Sequence, residues 1–334
     1  MENNQNNKLL TVENLTIEYT SPKRLFQKQK PSVKAVNNVS FDVREGETFG
    51  IVGESGCGKS TLGKGIVRLL KPKEGKMFYD DEGVLKDLLH LDRKSSRSLR
   101  QKVQIVFQDP YASLNPMHTI LEAFDEPMRV HHVGGNKEER KKLIAQALER
   151  VNLQPEYMYR YPHEFSGGQR QRICVAKSLV LNPKLIVLDE PVSALDVSIQ
   201  AQLLNLMKDL QRDLGVAFIF IAHDLSVVQY MSDRIAVMYL GNVVELATAD
   251  DLYEKRLHPY TQALLSAVPI PQFNAKKDRV ILEGDVPSPM NPPTGCPFHP
   301  RCSKCMDICK ESKPDLRDMG GDHCVACHLY DEQV

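Results

Sequence analysis

The chain of 334 residues is 42% hydrophobic and 26% charged, ordinary for a globular protein and enough for one large domain or two modest ones. Basic and acidic residues balance at 43 each, so the positive excess of a general nucleic-acid binder is missing and no nucleic-acid partner is expected. No apolar run approaches the roughly 18 residues that span a bilayer, and the opening MENNQNNKLL is polar, with no signal-peptide core. A cytoplasmic chain is expected, with any membrane role exercised through partner subunits.

In chain order, residues 8–19 (KLLTVENLTIEY) and 39–52 (VSFDVREGETFGIV) alternate or run apolar in strand fashion. Between them SPKRLFQKQKP is basic and bounded by proline, as a loop would be. A helix is expected from Gly58 to about Leu70, stopped by Pro72 and Gly75. Residues 97–107 lead into a short strand, KVQIVF. Residues 118–160 read as mainly helical, with EERKKLIAQALERV the clearest amphipathic stretch. QRQRICVAKSLVL is a further helix, LIVLD a short buried strand, 197–213 a helix and VAFIFIA a buried strand. RIAVMYLGNVVEL reads as a hairpin with Gly241 and Asn242 at its turn. Strands alternating with helices predict a mostly parallel sheet covered on both faces. The proline-rich VPIPQ and VPSPMNPPTG mark a boundary near 268–295. Six of the eight cysteines follow it, and in a cytosolic chain such clustering points to metal more than to disulfides. Cys57 and Cys174 stand apart and read as small packing residues.

The run Gly53, Glu54, Ser55, Gly56, Cys57, Gly58, Lys59, Ser60 fits G-x-x-x-x-G-K-[ST] and lies between the strand TFGIV and a helix. Glycines let successive N–H groups curl around one anion, and the helix N-terminus adds its positive end. Lys59 is expected on the β- and γ-phosphates of a nucleotide, the Ser60 hydroxyl on Mg²⁺, and Thr61 in the same binding set. LIVLD ends in Asp189 and Glu190, and ligands collect at the carboxyl ends of such strands. Asp189 is therefore expected in the Mg²⁺ shell, and Glu190 beside the γ-phosphate, polarising the attacking water. Gln108 follows IVF and is placed to sense Mg²⁺ and water; His223 follows VAFIFIA and is placed to contact the γ-phosphate. Alone, each of these two reads as a capping or packing residue; their position after strands of one sheet favours the functional role.

Phe165, Ser166, Gly167, Gly168 and Gln169 resemble the signature of the ABC ATPases, usually LSGGQ, with Phe in first place. An aromatic at Tyr19, the phosphate loop, Gln108, the Asp189–Glu190 pair, a D-loop from Ser193 to Asp196 and His223 occur in that family's order, so the resemblance spans about residues 8–328. It implies an α/β fold: an ABC-type P-loop ATPase domain over 1–267, with a mostly parallel sheet core, an antiparallel β subdomain and a helical subdomain at about 109–182. A small C-terminal cysteine-rich subdomain would fill 268–334. It also implies a head-to-tail pair of ATPase subunits, each ATP lying between the phosphate loop of one and the SGGQ of the other. Ser166 opens a helix, so its hydroxyl and the Gly168 N–H are donors for a γ-phosphate held by the partner. Tyr19 would stack on adenine, or serve as an ordinary strand aromatic.

YPHEFSGGQRQRI, LNPKLIVLDEPVSALDVSIQAQ, IAHDLSVVQYMSDRIAVMYLG and the tail's GCPFHPRC, KPDL and VACH are similar to the F component of oligopeptide and dipeptide importers. That resemblance implies a paralogous ATPase, the D component, as heterodimer partner, two transmembrane permease subunits, an extracytoplasmic peptide-binding protein, and a peripheral position on the cytoplasmic face of the membrane. It further implies that 109–119 and the helical residues beyond contact a permease. The expected activity is ATP hydrolysis to drive peptide uptake, or uptake of a related solute such as a nickel chelate. Soluble ABC ATPases usually carry two units or long insertions, and this chain has one unit and no heptad run. A nucleotide sensor without turnover would not need Glu190 and His223.

The tail leaves three readings open. Cys302, Cys305, Cys324 and Cys327 have the spacing of a four-cysteine zinc ribbon. The family pattern instead selects Cys296, Cys302, Cys309 and Cys327, which resemble ligands of a 4Fe–4S cluster. Reduced thiols packing a small subdomain without metal are the third reading. In either metal case the role would be structural, since so short a tail buries little core by itself.

Overall fold

The computed structural model describes residues 8–20, 32–267, 282 and 284–331; the expected loop SPKRLFQKQKP, most of MENNQNNKLL and VPIPQ lie outside them. Contacts gather the described residues into two units. One holds 8–10, 43–48 and 79–221; the other holds 11–20, 32–42, 49–78 and 222 onward.

In the first unit the strands Val103–Val106, Leu185–Asp189 and Ala217–Ala222 pair in parallel, with Val106 opposite Leu188 and Leu188 opposite Phe220. Every residue of Leu185–Asp189 and Ala217–Ala222 is buried. Continuous apolar runs of this kind suit a sheet covered on both faces. The expected helical region resolves into Ile120–His131, Lys137–Arg150 and a short 3₁₀ turn, Pro155–Tyr159. Thr119 and Glu122 form a reciprocal capping box at the first of these, satisfying two otherwise orphaned donors. The helix Val197–Leu214 buries Leu203, Leu206, Met207 and Leu210, one face at helical spacing, and Gly215 ends it at φ 61°.

In the second unit Thr48–Val52 runs parallel to Arg234–Tyr239, which turns back antiparallel into Asn242–Thr248. The turn residues are Leu240 and Gly241, at φ 43° and 78°, not Gly241 and Asn242 as the sequence suggested. Asn242 pairs with Tyr239 and already belongs to the return strand, while its side-chain amide donates to the Leu240 carbonyl at 2.6 Å and holds the turn. The helix after the phosphate loop, Lys59–Ile66, stops short of Leu70: the Val67 N–H donates to the Gly63 carbonyl, and Arg68 turns left-handed at φ 59°.

The cysteine-rich segment belongs to this second unit. Cys324–Val325 pairs antiparallel with Asn242–Thr248, and Arg317–Asp318 pairs with Cys324–Val325 in turn, so the segment extends the sheet's edge. Beneath them Tyr239, Tyr260 and Phe298 pack with ring centroids 4.7–5.3 Å apart, all three essentially fully buried. Full burial of such side chains contributes about 1.5–3 kcal/mol each. Glu245 is wholly buried too, and is satisfied: its carboxylate accepts from the Leu257 N–H at 2.7 Å, the His258 N–H at 2.9 Å and faces His323 Nε2 at 2.8 Å.

Candidate nucleotide site

The second unit carries the glycine-rich loop. Gly53 turns at φ 156°, and a Cβ there would stand 2.1 Å from the Met238 carbonyl oxygen. At Gly58, φ 105°, it would stand 2.0 Å from the Ala35 carbonyl oxygen. Only glycine passes either point, so the motif's spacing follows from the close approach of neighbouring backbone. Lys59 is buried, and its Nζ donates to the carbonyls of Gly53 at 2.8 Å and Glu54 at 3.1 Å, folding the side chain back along the loop. Ser60 and Thr61 follow on the first turn of the helix. Cys57 is buried, and burial pushes its thiol pKa up, which makes it the packing residue the sequence suggested. Ser55 and Gly56 are exposed at the loop's tip. Tyr19 is 46% exposed, with its hydroxyl 3.3 Å from Thr61 Oγ1 on the loop helix. His223 is exposed directly after Ala217–Ala222.

The first unit carries the acids and the signature. Asp189 is buried at the end of its strand. Glu190 takes a left-handed backbone, φ 48°, and its N–H donates to the Ile221 carbonyl at 2.9 Å. A bulky residue in that conformation costs roughly 1–3 kcal/mol and is found where the surroundings enforce it. Gln108 Nε2 donates to Glu190 Oε2 at 2.9 Å and reaches Ser193 Oγ at 3.3 Å. Ser166 is the N-cap of the helix Gly167–Leu179: its Oγ accepts from the Gln169 N–H at 3.3 Å, while its own N–H donates to Gln169 Oε1 at 3.0 Å. Ser166 and Gly167 are exposed at this helix end, which presents free backbone donors and a positive dipole to solvent. A Cβ on Gly168 would meet Ile199 Cγ2 at 2.5 Å, so the second glycine lets the signature helix lie close against Val197–Leu214. Asp196 is the N-cap of that helix.

Residues 36–193 match the family model described as ABC transporter, and 244–309 match the one described as oligopeptide/dipeptide transporter, C-terminal region. The oligopeptide transport ATP-binding protein AppF of Bacillus subtilis is 52% identical over 309 residues, 92% of each chain. The chain belongs to the ABC transporter ATP-binding family. YkfD of the same organism is 50% identical over 324 residues, 96% of this chain and 95% of its own. Among solved structures, the ATP-binding cassette MJ0796, as a post-hydrolysis dimer bound to ADP and phosphate, matches with TM-score 0.62 and 29% identity, covering 72% of this chain and 98% of that one. CbiO1 of Clostridium perfringens, part of a cbiONQ transporter complex, matches with TM-score 0.62 and 26% identity over 75% of this chain and 92% of its own. The ABC ATPase fold expected from the sequence is thereby confirmed, and ATP with Mg²⁺ is the nucleotide pair typical of this family. The residue types fit: a hydroxyl at Ser60 and a carboxylate at Asp189 are oxygen donors of the kind a hard cation takes.

Neither metal expectation for the cysteine tail finds a ligand group in the structure described. Among the described residues no three His, Cys, Asp or Glu side chains are grouped so as to hold a metal ion. The zinc-ribbon set fails on placement. Cys324 lines a cavity with Asp42, Arg234, Asp318 and Asp322, and those four are its leading charged neighbours. The iron–sulfur set is closer to its expectation: Cys327 has Cys296, Cys302 and Cys309 as electrostatic neighbours, and the Cys296 N–H donates to the Cys309 carbonyl at 2.8 Å. These four thiols share a neighbourhood without forming a ligand shell. Burial pushes the Cys296 and Cys327 thiols up to about 11.

Three residues at the loop were missed by sequence reasoning. Tyr260 Oη accepts the Glu54 N–H at 3.0 Å, and Arg301 donates to both Glu54 carboxylate oxygens, with Tyr239 beside it. Arg301 is 247 positions from Glu54, and no local pattern signals such a pair.

Proposed function

We propose that this chain is the ATP-hydrolysing subunit that powers uptake of oligopeptides or dipeptides through an ABC importer. The observation that carries this reading is the match to AppF across 92% of both chains, reinforced by the match of 244–309 to the peptide-transporter C-terminal region. The phosphate loop 53–60 and Thr61 hold the triphosphate, Tyr19 stacks on adenine, and Ser60, Gln108 and Asp189 hold Mg²⁺, which when bound neutralises phosphate charge. Glu190, steadied by Gln108, polarises the attacking water, and His223 contacts the γ-phosphate.

Two ATPase subunits act as a pair, the second being the paralogous D component. Ser166, Gly167, Gly168 and Gln169 of one protomer complete the site of the other, with Asp196 in the adjoining D-loop. The exposed N-terminus at Ser166 supports that role, since the first-turn N–H groups outside the capping box have no acceptor within the helix. Two permeases hold the pair at the cytoplasmic face of the membrane, with an extracytoplasmic binding protein delivering peptide. No helix among the described residues is long and apolar enough to cross a membrane. The division into an ATPase domain, 1–267 with its helical part at about 109–182, and a peptide-importer extension, 268–334, belongs to the same reading. Cys296, Cys302, Cys309 and Cys327 are the ligand set within it for a 4Fe–4S cluster of structural role, supported by their common neighbourhood. Iron and acid-labile sulfide measured on chain purified without air test that set, and a colourless, iron-free protein would refute it.

Co-expression with the permease pair and the D component tests the transport reading. The complex is expected to co-purify and to show ATPase activity stimulated by peptide-loaded binding protein. Co-purification with soluble partners alone would overturn it.

A further inference from the structure

The cysteine-rich segment reaches the phosphate loop through one guanidinium. Arg301 donates from its two terminal nitrogens to Glu54 Oε2 at 2.8 Å and Oε1 at 3.2 Å, a two-pronged fork on the first variable residue of the loop. The Arg301 side chain is 8% exposed and that of Glu54 25%, so solvent screens the pair little. Tyr260 Oη takes the Glu54 N–H at 3.0 Å, holding the same residue by its backbone. The two anchors stand on one support: Tyr260 packs against Tyr239 and Phe298, and the Arg301 N–H donates to the Phe298 carbonyl at 3.0 Å.

The anchored residue is well chosen. Lys59 Nζ rests on the carbonyls of Gly53 and Glu54, so the peptide units that orient the lysine are those the clamp fixes. Gly53, Gly56 and Gly58 otherwise give the loop wide backbone freedom, and a ligand that binds a loose loop must order it at its own expense. A loop held in place before the nucleotide arrives avoids that cost.

We propose that Arg301 and Tyr260 are positioning residues for the phosphate loop, through which the C-terminal segment sets the affinity of the chain for ATP. The proposal rests on the reading of 53–60 as the nucleotide loop. Arg301 keeps its charge throughout, since the Glu54 carboxylate first and then the Tyr239 hydroxyl raise its pKa.

A double-mutant cycle on the full-length chain, read as the Kd for a fluorescent ATP analogue, tests it. Arg301→Met and Glu54→Gln should each raise Kd by about tenfold, and the double variant should raise it no further, because both remove one interaction. Arg301→Lys, which keeps the charge without the fork, should fall between wild type and Arg301→Met. Lys59→Ala separates the underlying reading from the clamp: if it binds ATP like the wild type, the loop assignment fails and the clamp falls with it. If Lys59→Ala abolishes binding while Arg301→Met leaves Kd unchanged, or the two single losses multiply to about a hundredfold in the double, the clamp alone is overturned. Should Arg301→Met not fold, Tyr260→Phe keeps the ring and removes only the acceptor; a Kd raised about threefold supports the proposal, and a wild-type Kd refutes it.

Discussion

Gln108 Nε2 donates to Glu190 Oε2 at 2.9 Å, tying the residue after one strand to the acid after its neighbour. The same amide reaches Ser193 Oγ, and the Ser193 hydroxyl donates to the Glu190 carbonyl at 3.1 Å, so Glu190 is held at both its side chain and its backbone. That bracing explains how a non-glycine residue keeps φ 48° at this position. Gln108→Ala should lower kcat by about tenfold, the loss of one hydrogen bond to a charged group, with little change in ATP affinity. Steady-state phosphate release and an ATP titration on the same preparation check it. A raised Kd with kcat intact would place Gln108 in binding instead.

Ser166 has two separable tasks. As N-cap it satisfies the Gln169 N–H, and Ser166→Ala should cost about 1 kcal/mol of stability as well as turnover. Ser166→Asp keeps a good cap, so stability should return toward wild type, but it sets a carboxylate where a phosphate is expected, and ATPase activity of the assembled pair should stay lost. Thermal melts beside ATPase assays distinguish the two. Turnover that recovers together with stability would reduce Ser166 to a capping residue.

His258 predicts an acid limb in stability. It is fully buried, burial lowers its pKa from 6.5 to about 4, and its Nδ1 accepts the Tyr260 N–H at 3.0 Å as the N-cap of Pro259–Ser266. The unfolded chain therefore binds the proton first. The contribution is fully present above about pH 6.5 and is lost as pH falls from there toward 4, by up to about 1.4 kcal/mol per pH unit. The Glu245 carboxylate acts the other way but loses to burial. His258→Asn retains a capping side chain without the titration, so urea melts from pH 7 to 5 should show a flatter decline for the variant. Identical slopes would remove His258 as the cause.

Two glycines give a contrast. Gly53→Ala places a methyl 2.1 Å from the Met238 carbonyl oxygen, which backbone cannot yield cheaply, and should cost several kcal/mol, on the order of a core overpacking, together with ATP binding. Gly46→Ala has nothing within 4 Å and pays only for φ 66°, about 1 kcal/mol. Denaturant midpoints of both variants measure the difference. Equal losses would mean that backbone conformation alone, not the close approach, dictates Gly53.

The parts legible in the sequence were those written locally. The buried strands LIVLD and VAFIFIA, the helix opened by Ser166 and the left-handed glycines of the loop each carry their cause within a few residues. What escaped was decided across long separations. Cys324 looked like the partner of Cys327 by spacing, but pairing opposite Leu246 in the sheet turns it among Asp42, Arg234 and Asp318. The hairpin turn slipped by one residue because Asn242, a favoured turn residue, is recruited into pairing with Tyr239. Arg301 gave no signal at all, since its partner Glu54 lies at the other end of the chain.

The most direct measurement is ATP-driven uptake of a labelled oligopeptide by proteoliposomes that hold this chain with its permeases, its paralogue and its binding protein. Wild type should release phosphate and accumulate peptide together, and Glu190→Gln should still bind ATP while both rates fall by about 10²–10⁴. Phosphate release at the wild-type rate in Glu190→Gln, or peptide accumulation without ATP, would contradict it.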